Sequence, residues 1–190
     1  MKMKITKNWI KKWKPCEEAV EWLGRQDTKD VFELIERLRK SDIADKYDWL
    51  FWSVPRLIKT KKDRVRFAVF CAELVLPVFE SEYPDDKRPR EAIQATKNWL
   101  KNPNRENRLT ARATAGVAVR AARVAAEAAD WAAKAADWAA KAAWATAGVA
   151  VRAARVAAEA AIRAAGVAGD DPSIRDKIID YGIKILREEE

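Results

Sequence analysis

A chain of 190 residues is long enough to bury one core and at most two small domains, and its 49% hydrophobic and 35% charged residues exclude a disordered tail. The absence of His excludes His acid–base catalysis, Ser-His-Asp and Cys-His triads and His-containing metal sites, so neither an enzyme nor a cofactor is expected. The net charge of +8 favours anionic partners; two cysteines, Cys16 and Cys71, are too few for a disulfide scaffold or a four-thiolate zinc site.

Residues 6–14 (TKNWIKKWK) predict a first helix, capped by Thr6, with Ile5, Trp9 and Trp13 on one face. The start of the chain is basic without a continuous apolar core, so it does not read as a signal peptide. Pro15 fits the first position of a second helix, PCEEAVEWL, which Gly24 ends. Both cysteines fall in apolar helical patterns, which predicts buried free thiols in a reducing cytoplasm. Asp27 or Thr28 opens a third helix, with Val31, Ile35 and Leu38 inward. Ser41 is expected to cap a fourth, SDIADKYDWLFWSV, with Ile43, Tyr47, Leu50 and Val54 inward and Pro55 stopping or kinking it. Thr60 with Asp63 resembles a capping box for a fifth helix carrying Val65, Val69, Ala72, Leu76 and Phe79. The turn YPDDKRPR leads into a sixth helix, and DDPSIRDKIIDYGIKIL reads as the last, capped by Asp171. No segment alternates as a strand does. The fold class is therefore all-α: a compact bundle of about seven to nine helices, with a Trp-rich half over 1–103 and an Ala-rich half over 104–190 forming one continuous globular domain.

The Ala-rich half contains ATAGVAVRAARVAAEAA twice, at 113–129 and 145–161, and between the copies DWAAKAA twice. Arg120, Arg123, Glu127, Asp130, Lys134, Asp137 and Lys141 recur every three or four residues, which places them in one polar stripe. Arg123–Glu127, Asp130–Lys134 and Asp137–Lys141 are opposite-charge pairs at i,i+4. Trp131 and Trp138 lie at the stripe's edge, within one turn of Lys134, a spacing that suits cation–π contact. The recurrent charges also argue against a membrane span. A single helix from about 105 to 167 would reach roughly 95 Å, so the region either projects into an oligomer or folds back; a hairpin turning near Trp144–Gly148 is the expectation.

Several segments together carry a family resemblance: PCEEAVEWL (15–23), DWLFW (48–52), AVFCAELVLPVFESEYPDDKRPREAI (68–93), an Ala-rich stretch and RDKIIDYGI (175–183). In this order they resemble a bacterial and phage family of immunity proteins in which a Trp-rich helical half precedes an Ala-rich one. The resemblance covers most of the chain and implies a cytoplasmic protein that neutralises a toxin.

Three sets of residues are candidate binding sites. Asp85, Arg88 and Arg90 form a polar turn in which planar guanidinium forks suit carboxylate or phosphate, although helix capping by Asp86 accounts for the same residues. Trp49 and Trp52 fit core packing, and would stack on a base or nucleotide if they lay in an open pocket. Lys11 and Lys12, with Lys61, Lys62 and Arg64, belong to two basic clusters that either solvate the surface or meet an anion. The expected function is that of an immunity or inhibitor protein, a monomer or homodimer that binds and blocks a toxin or defence protein. The alternative is an anion binder of nucleic acid or a phosphorylated small molecule.

Overall fold

The fifth helix is where the sequence pattern and the packing meet most directly. A computed structural model of the chain describes residues 3–122, 127–144, 147–167 and 173–190. Its helices, in chain order, are α1 (Lys7–Trp13), α2 (Glu17–Gly24), α3 (Val31–Arg39), α4 (Lys46–Leu57), α5 (Lys61–Glu82), α6 (Arg88–Lys101), α7 (Arg105–Ala122), α8 (Glu127–Trp144), α9 (Ala147–Val167) and α10 (Ser173–Glu188). On α5, the hydroxyl of Thr60 accepts from the Asp63 N–H at 3.0 Å and donates to its carboxylate at 2.6 Å, closing the first turn as the capping pattern predicts. The expected stripe Val65, Val69, Ala72, Leu76 and Phe79 is buried, but so are Phe67, Ala68, Cys71 and Val75. A helix buried on both sides lies at the centre of a bundle: α5 packs against α6, α8, α9 and α10.

The Ala-rich half forms three packed helices, not the two of a single hairpin; the expected turn near Trp144–Gly148 falls partly on residues outside those described. α7 packs along α8, and α8 packs along α9. The physical reason is length. Segments of 18 residues span about 27 Å, close to the roughly 33 Å of α5, whereas an unbroken α7–α8 would overshoot the core. On α8, Ala135, Ala136, Ala139, Ala140, Ala142 and Ala143 are all fully buried, because methyl side chains let α5, α6, α7 and α9 approach together. The predicted Asp137–Lys141 pair forms at 2.6 Å, and Lys141 lies over the Trp138 ring at 4.3 Å. Asp137 is only 3% exposed and its Oδ1 has no partner, so burial pushes its carboxyl above the usual range while Lys141 pulls it back. The expected pairs Arg123–Glu127 and Asp130–Lys134, the Lys134–Trp131 contact and the Asp171 cap lie outside the described residues.

The termini close the fold. Glu189 accepts from the N–H groups of Lys59 and Thr60, at 2.9 and 3.1 Å, ahead of the first turn of α5; Glu188 pairs with Arg66 at 2.8 Å. Glu190 accepts from the Met3 N–H at 2.8 Å. The Val31 N–H donates to Met3 O, and the Ile5 N–H to Lys29 O, each at 2.9 Å, which ties the start of α1 to the start of α3. Two expected caps differ. Asp30, not Asp27 or Thr28, caps α3 through the Phe32 and Glu33 N–H groups. Ser41 does not open α4; its hydroxyl donates back to Leu38 O at 2.8 Å and finishes α3. Pro55 is accommodated inside the last turn of α4. No strand occurs among the described residues, and none of their helices is long and apolar enough to cross a membrane.

Candidate functional site

The N-terminal helices do not join the core as the others do: neither α1 nor α2 has a fully buried residue. They lean their apolar faces on α3 and α4 and leave a pocket of about 250 Å³ between them. On α1 the Thr6 cap, accepting from the Trp9 N–H at 3.1 Å, fixes the helix start, and i,i+4 spacing directs Ile5 and Trp9 inward. On α2 the face formed by Cys16, Ala19, Trp22 and Leu23 lines the pocket, while Glu17 and Glu21 fall on the opposite side. α3 contributes Val31, Leu34, Ile35 and Leu38 to the floor, and α4 contributes Asp48, Trp49, Leu50, Trp52, Ser53 and Leu57.

Trp9 meets Trp52 edge to face, with centroids 5.9 Å apart and an interplanar angle of 85°. The Trp9 indole N–H is buried without an acceptor. The Arg56 guanidinium covers Trp52 at 4.0 Å and reaches Trp13 at 5.6 Å, so part of the expected stacking platform already holds a cation. Cys16 is exposed and lines this pocket, contrary to the expectation of two buried thiols. The eight-residue α2 is too short and too peripheral to bury its own first turn. Cys71 is fully buried on α5, and burial pushes its thiol far up.

The two basic clusters occupy different settings. Lys11 and Lys12 are exposed in the last turn of α1, with Lys12 over Trp13 at 4.9 Å. Lys61 lies over Trp99 at 4.9 Å, and burial followed by the charge of Arg108 lowers its ammonium pKa. Lys62 is exposed, whereas Arg64 is buried, and burial lowers its guanidinium pKa against the nearby charge of Glu189.

In the YPDDKRPR turn the arginines point to separate partners. Arg88 forks onto Asp86, with Nε–Oδ1 at 2.8 Å and Nη2–Oδ2 at 2.5 Å, and the same carboxylate accepts the Arg88 N–H at 3.1 Å. Arg90 forks onto Glu80 of α5, at 2.6 and 2.5 Å. These contacts hold the Asp86 and Glu80 carboxyls below the usual range. Asp85 is exposed and unpaired.

The pocket thus unites Trp49 and Trp52, as sequence reasoning allowed, and adds Trp9, Trp22, Cys16 and Asp48, which it did not select as a set. The one signal was density: five of the nine Trp, at 9, 13, 22, 49 and 52, fall before residue 53. Among the described residues no group of three or more Cys, Asp or Glu is placed to hold a metal.

A family model described as "Imm-5 like putative immunity protein" matches residues 57–181. Comparison with curated proteins and with solved structures gave no match.

Proposed function

The chain belongs to the Imm-5 like putative immunity protein family, and from that premise we propose that it protects by binding a toxin or defence protein and blocking it without covalent chemistry. The observation that carries this reading is the family match, which runs from the end of α4 through α10 as far as Tyr181 and so spans the buried centre of the bundle. A chain without His, in a family of this kind, fits occlusion of a partner better than conversion of a substrate.

Among the candidate residues, pairing supports an architectural role for some and exposure supports a role at the partner surface for others. Arg88 and Arg90 are engaged with Asp86 and Glu80 and are assigned to holding the α5–α6 connection. Lys11, Lys12, Lys62 and Asp85 are exposed and make no ion pair, so a partner can engage them without breaking one. With three lysines in that set and +8 overall, the face of the partner is acidic.

The test is co-expression with candidate toxins from the same genome. The expected result is restored growth with the wild-type chain, and weakened protection with Lys11→Glu, Lys12→Glu and Lys62→Glu combined at unchanged melting temperature. Failure of the wild-type chain to protect overturns the reading. A second reading, an anion binder, is favoured by one observation: Lys61 and Arg108 place two cations near each other, so that the Arg108 charge adds to burial in lowering the Lys61 pKa. Binding of a nucleic acid or phosphorylated ligand that falls steeply with salt supports it, because neutralised phosphates release counterions.

A further inference from the structure

The pocket between α1–α2 and α3–α4 lies within residues 5–57, so only Leu57 overlaps the segment that matches the family. Whatever it binds is therefore carried by the part of the chain outside that match. Its walls are apolar and rich in indole, a chemistry that favours a hydrophobic body. Asp48 is the only charged residue among those that line it; its carboxylate is exposed, on the first turn of α4, and has no hydrogen bond or ion pair. A neutral hydrophobe would satisfy the walls and leave that carboxylate unused, and an anion would be repelled by it. A positive charge on an apolar body satisfies both, because indole rings attract cations as well as apolar groups. The fold already places one cation on these rings: Arg56 sits over Trp52 at 4.0 Å.

We propose that this pocket binds a small organic ammonium ion, its apolar body among Trp9, Trp22, Trp49 and Trp52 and its charged head at Asp48. The site goes beyond the immunity reading and does not rest on it.

Cys16 supplies the reporter. It is exposed and lines the pocket, whereas Cys71 is fully buried, so alkylation of the intact native chain by iodoacetamide reads the pocket thiol. The probes are 2-phenylethylammonium and 2-phenylethanol, which share a shape and differ in charge. Affinity is measured by calorimetry and occupancy by the rate of Cys16 alkylation. The ammonium ion is expected to bind in the millimolar range set by its size and to slow alkylation. Its affinity should exceed that of the alcohol by about fivefold, the upper range for an exposed ion pair. Asp48→Asn should erase that preference and leave the alcohol unchanged; because Asp48 is exposed and unpaired, this variant keeps the fold. Ala19→Phe, which fills the pocket from α2, should abolish binding of both probes. Absence of binding by the ammonium ion, equal binding of the two probes, or a preference that survives Asp48→Asn overturns the proposal.

Discussion

Gly182 sits in mid-helix, where Ala is the better residue by about 1 kcal/mol, yet Gly182→Ala should destabilise the protein. α10 crosses α4 and α5 at this position. A Cβ built on Gly182 would lie 2.4 Å from Val54 Cγ1 and 3.2 Å from Phe67 Cε2. Comfortable carbon contacts lie near 3.5–4.0 Å, so the first is short by about 1 Å. Val54 and Phe67 are both fully buried, so neither can swing into solvent. Either Val54 leaves its rotamer or α10 shifts and draws its own Ile178, Ile185 and Leu186, which are also fully buried, out of their packing. Overpacking of this kind costs about 1–3 kcal/mol; set against the propensity gain, the net loss is about 0–2 kcal/mol, centred near 1. At this chain length that lowers Tm by about 2–4 °C per kcal/mol. Urea and thermal unfolding measure it, and Val54→Ala provides the control. In the Val54→Ala background the added methyl should be neutral or stabilising, giving a coupling between the two sites of about 1–3 kcal/mol. Stabilisation by Gly182→Ala in the wild-type background would refute the packing argument.

Other perturbations probe other parts of the fold. Ala157→Leu, at a fully buried position on α9, should cost about 1–3 kcal/mol in urea unfolding. Deleting Glu188–Glu190 removes the contacts to Arg66, to the Lys59 and Thr60 N–H groups and to Met3, and should lower stability by about 1–3 kcal/mol in thermal melts. Arg88→Ala with Arg90→Ala should cost no more than about 1 kcal/mol per pair, and protection should be retained, because both pairs lie near the surface. Asp137 has a raised pKa, so the folded state holds its proton to higher pH than the unfolded state does. Its contribution is therefore most favourable below the ordinary carboxylate range and declines as pH rises through the folded pKa. Urea midpoints followed from about pH 4 to 8 should show Asp137→Asn gaining on the wild type as pH rises.

Much of the helical order was legible because local chemistry decided it. The Thr60–Asp63 cap, the inward faces of α3 and α5 and the Asp137–Lys141 pair all follow from residues close to one another in the chain. The division of the Ala-rich half into three helices was not legible, for a reason visible in the repeat. The copy at 113–129 is divided between α7 and α8, whereas 147–161 of the identical copy lies within the single helix α9. Equal sequences have equal propensities, so what distinguishes the copies is the neighbours each packs against: α6 for α7, α5 and α6 for α8, and α4 and α5 for α9. The pocket was hidden for the same kind of reason. Trp9 and Trp52 are 43 positions apart, and their edge-to-face contact depends on the docking of α1 through the Ile5–Lys29 and Val31–Met3 hydrogen bonds. The duties of Arg88 and Arg90 were only half legible: Asp86 lies two residues from Arg88, but Glu80, the partner of Arg90, is on the preceding helix.

The central claim is that this chain blocks a protein partner by binding it. The direct measurement mixes the purified chain with a purified toxin against which it protects cells, follows toxin activity against increasing chain, and weighs both proteins afterwards. The account predicts complete loss of toxin activity near one equivalent, a complex that survives gel filtration, and unchanged masses on separation. A toxin that stays active under excess chain, or one whose mass has changed, would contradict it.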